Sequence, residues 1–187
     1  MRKRLQLIIL SLTISSLLFI SCHHDNKEDK TSPYFTHFYT GNKDAILRDI
    51  HFDMSPDEVK SIEKSRLYEA TEEHLFYEFS YPTDSTAFSE YAEVQYFFDE
   101  NDKLDVIAIH VFLNDSTLEK GLRTSLQQYF NQRYGSAEAE KNSELWNGDF
   151  TDKKTGTDYN YTIRVKNIAK QSDDDLTGIS IEYHLER

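Results

Sequence analysis

One cysteine, three prolines and six glycines in 187 residues set the first limits. A lone cysteine cannot form a disulfide within the chain, so no cysteine framework or Cys-rich metal centre holds the fold. So few glycines leave no Gly-rich loop of the kind that cradles phosphate. The longest apolar stretch, Leu7 to Ile20, is interrupted by hydroxyl residues and falls short of the roughly 20 residues that span a bilayer. Positive charge is scarce: 21 Lys and Arg stand against 33 Asp and Glu, a net charge of −12. That balance argues against nucleic acid and against electrostatic docking on anionic lipid. No serine sits between glycines as a nucleophile elbow requires. His37, His51, His74, His110 and His184 include no i, i+4 pair with the intervening Glu of a metalloprotease helix. No catalytic motif is recognisable, and no cofactor is expected.

What is present begins at the N-terminus. Arg2, Lys3 and Arg4 precede the apolar stretch, and Phe19-Ile20-Ser21-Cys22 closes it, the layout of a cleaved signal over residues 1–21. The closing residues resemble the lipobox of bacterial lipoproteins, with Phe19 where Leu is usual. The resemblance implies that the Cys22 thiol takes up diacylglycerol and that cleavage frees its amine for a further acyl chain. Two or three chains give stable anchoring where one does not. The rival is an ordinary signal peptide that leaves Cys22 an exposed free thiol. Loss of Arg2, Lys3 and Arg4 leaves 18 basic residues against 33 acidic, a net charge of −15, so the lipid rather than surface charge would hold the protein to its membrane.

Residues 23–33 contain no large apolar side chain and are expected, with Cys22, to form a flexible tether over 22–33. Asp25, Glu28 and Asp29 behind the cysteine resemble the surface-export signal of lipoproteins in some Gram-negative lineages. The expected location is therefore the outer membrane, facing the periplasm or exposed at the cell surface. His23-His24-Asp25 carries metal-ligating atoms, but a floppy tail lacks the fixed geometry a metal site needs.

Residues 34–187 suit a single domain. Ser55-Pro56-Asp57-Glu58 is a capping box with Pro at the first helical position, and Met54 and Val59 stand where a hydrophobic staple would. A short helix is predicted from about Pro56 to Lys64. Alternation then predicts strands over His74 to Tyr81, Tyr91 to Asp99 and Leu104 to Leu113. A second helix follows, with Leu118, Leu122, Leu126, Tyr129 and Phe130 on one stripe, Ser116 at its cap and Gly135 at its end. Three more strands are predicted at about Glu144 to Phe150, Tyr159 to Lys166 and Gly178 to Leu185. Turns at 99–103, 153–157 and 172–175 are short enough for hairpins, so the strands should be antiparallel. The predicted class is α+β: two helix-plus-three-strand units forming an antiparallel sheet, both helices packed on one face.

This arrangement resembles the tandem helix-plus-strands architecture of β-lactamase-inhibitory-protein-like domains. Phe52-Asp53-Met54-Ser55-Pro56-Asp57-Glu58-Val59 is similar to the opening of small outer-membrane assembly lipoproteins of the SmpA/OmlA type, which carry Gly where Asp53 stands. The resemblance implies protein binding rather than catalysis.

The pleat assigns faces. With Leu75, Tyr77, Phe79, Val94, Tyr96, Phe98, Ile107, Ile109 and Val111 toward the helices, Phe76, Glu78, Glu93, Gln95, Phe97, His110 and Phe112 point away. Asn160, Thr162, Arg164, Lys166, Ser180, Glu182, His184 and Glu186 do so in the second half. Phe76, Phe97, His110, Phe112, Arg164, Glu182 and His184 are the candidate binding residues, and the expected partner is another protein of the cell envelope. The competing reading is that the 34–50 segment, with Tyr34, Phe35, Phe38 and Tyr39, covers these phenylalanines. An enzyme modifying envelope glycan or peptide is the alternative function, with His110 and His184 meeting a carboxylate such as Glu182 as acid and base. A small-ligand carrier is another, and requires a cavity between sheet and helices.

Three smaller features are weighed alongside. Trp146 reads as core or as an anchor at the sheet edge. Asp99-Glu100-Asn101-Asp102-Lys103 begins like a calcium loop, but Lys103 falls where a ligand is wanted, so it reads as a hairpin turn; Asp173-Asp174-Asp175 reads as a solvated loop. Asp84-Ser85-Thr86 and Asp115-Ser116-Thr117 resemble acceptor triplets for O-glycosylation in some Gram-negative periplasms.

Overall fold

The structure is a computed structural model that describes residues 32–39, 45–80, 90–152, 156–168 and 176–187. The signal segment 1–21, Cys22 with tether residues 23–31, Asp84-Ser85-Thr86, Asp173-Asp174-Asp175 and most of the turns at 153–157 and 172–175 lie outside these residues.

The described chain runs α1 (Pro33–Tyr39), α2 (Pro56–Ile62), β1 (Arg66–Ala70), β2 (His74–Ser80), β3 (Tyr91–Phe98), β4 (Leu104–Leu113), α3 (Ser116–Tyr134), β5 (Glu138–Glu140), β6 (Ser143–Thr151), β7 (Asp158–Ile168) and β8 (Thr177–Glu186). All eight strands join one antiparallel sheet in the order β1-β2-β3-β4-β8-β7-β6-β5. The expected pair of helix-plus-three-strand units is thereby corrected to one eight-stranded sheet with three helices. The two unforeseen strands, β1 and β5, are the sheet edges, and every one of their residues is exposed. Without a buried face they carry no alternation for a periodicity argument to detect.

Local chemistry explains the helices that the sequence did announce. In α2 the Ser55 side chain accepts from the Glu58 amide while the Glu58 carboxylate accepts from the Ser55 amide, and Val59 is buried. In α3 the cap is Asp115 rather than Ser116: its side chain accepts from the Thr117 amide at 2.6 Å. Leu122, Leu126 and Phe130 are buried along α3, whereas Leu118 in its first turn is left 47% exposed. Asp53 adopts φ 64°, the left-handed region that suits Gly and that Asp adopts more readily than most side chains. Asp99 closes the β3–β4 turn, its carboxylate accepting from the amides of Asn101 and Lys103 at 2.9 and 2.8 Å, so this carboxylate serves the hairpin.

One face of the sheet holds the core. Trp146, Ile163, Tyr183, Ile107, Tyr96 and Leu75 face one another in register across six strands, and all are buried. Trp146 is core: its ring lies 5.1 Å from Phe130 and its Nε1 donates to Asn131 Oδ1 at 3.0 Å. Gly148 lies opposite Tyr161, and a Cβ there would meet the tyrosine ring at 2.4 Å, so glycine makes room for a buried aromatic. All three helices address this face. Phe130 of α3 packs on Tyr183, the Tyr39 hydroxyl of α1 bonds that of Tyr183 at 2.8 Å, and Glu63 after α2 accepts from the Tyr96 hydroxyl at 2.7 Å.

A buried polar knot ties α1, the 45–53 segment and α2 to the sheet. The Glu63 side chain is fully buried and pairs with Arg48, while its other oxygen accepts from the amides of Lys64 and Ser65 at 2.7 Å each. Burial opposes ionisation of Glu63, but Arg48, the Tyr96 hydroxyl and Ser65 together hold its carboxyl below the usual range. Arg48 Nη1 also bonds His37 Nε2 at 3.3 Å, and the His37 ring stacks on Phe79 at 3.7 Å.

Burial, then the Arg48 charge, lowers the His37 pKa from 6.5 to about 4, with Glu63 pulling the other way. The folded chain thus refuses a proton that the unfolded chain accepts, and stability should fall as pH drops from about 6.5 toward 4. Carboxyls held low, such as Glu63 and Glu182, stabilise above their ordinary titration range and lose that contribution only in stronger acid. A His37→Gln variant should therefore show a smaller drop in melting temperature between neutral and mildly acid pH, read by circular dichroism. An unchanged drop would refute the assignment.

Candidate functional site

The face opposite the helices is built by the outward half of each strand. In register it carries the row Phe76, Gln95, Ala108, Glu182, Arg164 and Leu145, then on one side Glu78, Glu93, His110, Ser180 and Lys166, and on the other His74, Phe97, Val106, His184 and Thr162. Every candidate residue predicted within the domain lies on this open face, and all are half-buried among their neighbours.

Tyr34, Phe35, Phe38 and Tyr39 do not cover them. Tyr34 and Phe38 pack edge-on against Phe79, and Phe35 and Tyr39 pack against Tyr129, all on the helix side. The rings of the open face instead associate with one another. Phe76 contacts Tyr68 at 5.1 Å, Phe97 stacks with His74 at 5.8 Å, and Phe112 stacks with Tyr91 at 4.6 Å with the His110 ring at 6.4 Å. Tyr91 and Phe97 are six residues apart on β3, so the two stacks stand about 20 Å apart along the strand.

Tyr68 escaped sequence reasoning because its placement depends on a bulge. Between Leu67 and Glu69 the pairing with β2 shifts, and the extra residue re-aims a side chain. Tyr68 is thereby brought against Phe76 while remaining 61% exposed. Tyr91 had a signal that went unused: it alternates with Glu93 and Gln95 on the outward side of β3.

The two halves of the face differ in how their charges are met. On β7 and β8, Glu182 accepts from Lys166 at 2.7 Å and from Ser180 at 3.2 Å, with His184 Nε2 at 3.5 Å, and Arg164 pairs with Glu140 at 3.4 Å. Burial works against the Glu182 charge, but Lys166 first, then Ser180 and His184, hold its carboxyl below the usual range. Arg164 and Glu182 are thus engaged within the sheet, with His184 beside them. On β2 and β3, Glu78 and Glu93 lie directly opposite each other, and His110 Nδ1 stands 3.7 Å from Glu93.

His110 and His184 therefore serve different carboxylates. The His184 row meets β4 at Val106, four residues from His110, a separation of about 13 Å. They do not form one acid–base pair on Glu182. Among the described residues no group of three His, Cys, Asp or Glu side chains is placed to hold a metal ion, and no helix is long and apolar enough to cross a membrane. Comparison with known proteins finds no family model, no curated protein and no solved structure that matches this chain.

Proposed function

We propose that this protein is an outer-membrane lipoprotein, held through acylated Cys22 and facing the periplasm or the cell surface, whose domain is a non-catalytic module that binds another envelope protein. The open sheet face is its working surface. The observation that carries the reading is the set of half-buried rings, Phe76, Phe97 and Phe112, on the side of the sheet that neither the helices nor the aromatic residues of α1 occupy. Rings grouped on an otherwise polar sheet are the composition of a recognition surface.

The alternatives gain less support. An acid–base enzyme needs its two histidines within reach of one substrate, and His110 and His184 lie four β4 residues apart. A carrier needs a cavity between sheet and helices, where Tyr34, Phe38, Tyr96, Phe130, Trp146, Tyr161 and Tyr183 are buried.

In-cell crosslinking followed by affinity capture of the full chain tests the reading. Phe97→Asp or Phe112→Asp should abolish recovery of a stoichiometric partner while the melting temperature changes little. Cys22→Ala should release the protein from the membrane fraction. Retention of the partner by both aspartate variants would refute the assignment of the surface.

A further inference from the structure

We propose that the β2–β4 half of the open face receives a basic, extended segment of a partner protein, one lysine or arginine of which seats on Glu78 and Glu93 between Phe76 and the Tyr91–Phe112 stack. This rests on the binding-module reading and narrows both the site and its partner.

Carboxylates placed directly opposite on neighbouring antiparallel strands have Cβ atoms about 5 Å apart and repel. Glu78 and Glu93 are such a pair, with Arg66 facing Glu78 from the edge strand and His110 beside Glu93. Across β1 to β4 one full positive charge thus stands against two negative ones, since the other cation of the row, Lys166 on β7, is bonded to Glu182. On the β7–β8 half, by contrast, Glu182 and Arg164 have Lys166 and Glu140 as close partners. The acid pair of β2 and β3 thus lies on the half of the face that carries Phe76, Tyr91 and Phe112.

The rings suit a cation as well. Along β2 the acid pair is preceded by Phe76, which Tyr68 extends toward the edge, and along β3 and β4 it is flanked by Tyr91 and Phe112. Burial, then Glu93 and Glu78, raises the Tyr91 phenol above its ordinary range, so the phenol stays neutral beside both carboxylates. A guanidinium or ammonium set on the acid pair would meet ring faces or edges on either side, adding cation–π attraction to the ion pair. Alternate side chains of an extended segment would reach the rings at either end of β3, and the chain's overall charge of −12 would steer a basic partner toward the domain.

The test uses the full-length chain in detergent micelles and fluorescence anisotropy of two labelled, capped octapeptides, one alternating valine with lysine and arginine, the other valine with glutamate. The basic peptide should bind, and Glu78→Gln/Glu93→Gln should weaken it at least about tenfold. Asp57→Asn/Glu100→Gln, which removes two exposed acids elsewhere, should leave binding unchanged. Equal weakening by the two double variants would reduce the effect to diffuse attraction and overturn the proposal. So would equal binding of the glutamate peptide, or binding of neither. The capture experiment with Phe97→Asp, which does not depend on partner charge, separates these failures from failure of the module itself.

Discussion

Glu63→Ala is expected to destabilise the fold by about 3–5 kcal/mol, the cost typical of breaking a buried ion pair from one side. Glu63 is the acceptor on which three segments converge: Arg48 from the 45–53 segment, the Tyr96 hydroxyl from β3, and the amides of Lys64 and Ser65 that follow α2. Removing it strands a guanidinium whose side chain is only 15% exposed and a fully buried phenol. Because the penalty arises from the orphaned partner rather than from the pair's own worth, Arg48→Met combined with Glu63→Met should cost less than Glu63→Ala alone. Urea unfolding followed by fluorescence decides the matter. A loss below about 1 kcal/mol for the single variant, the scale of an exposed pair, would show that solvent reaches the knot.

Trp146→Ala should cost a similar amount, about 3–5 kcal/mol, for a different reason. The indole is 2% exposed, lies against Phe130 and closes one end of the buried row that runs through Ile163, Tyr183, Ile107 and Tyr96 to Leu75. Truncation opens a cavity between β6 and α3 and leaves Asn131 Oδ1 without its donor at 3.0 Å. Trp146→Phe keeps most of the bulk and forfeits the hydrogen bond, so about 1–2 kcal/mol is expected of it. Calorimetry reads both variants directly. Near-equal losses would mean that the hydrogen bond, not the ring volume, dominates. Since Trp146 is the sole tryptophan, its fluorescence reports unfolding of every variant that retains it.

The parts of the fold that could be read from sequence were those with a one-sided chemistry. The Ser55–Glu58 capping box announced α2, and alternation announced β2 to β4, β7 and β8, including which side of each would face the helices, whereas β6 was placed without a face. That pattern also placed Phe76, Phe97, His110, Phe112, Arg164, Glu182 and His184 together on one surface. What it could not supply was set by tertiary context. The edge strands β1 and β5 have no buried face, and α1 is a seven-residue helix with no acidic residue in its first turn, held by ring contacts to Phe79, Tyr129 and Phe130. The same contacts carry its aromatic side chains to the helix side. Charge compensation was equally invisible, because Lys166–Glu182 depends on the register of β7 against β8, and Arg164–Glu140 on an edge strand, β5, that no pattern announced.

That position of β8 has a consequence for the order of events during folding. The strand that follows all the others in the chain sits in the middle of the sheet, zipped on one side to β4 and on the other to β7. Until it docks, β4 exposes a bare backbone edge, and the core face is interrupted where Ile179, Ile181 and Tyr183 belong. Neither meander can seal its core early, so the domain should mature late and slowly, as the long sequence separation across the β4–β8 seam demands. Until then the unfolded chain presents an unpaired strand edge that a holding chaperone could protect.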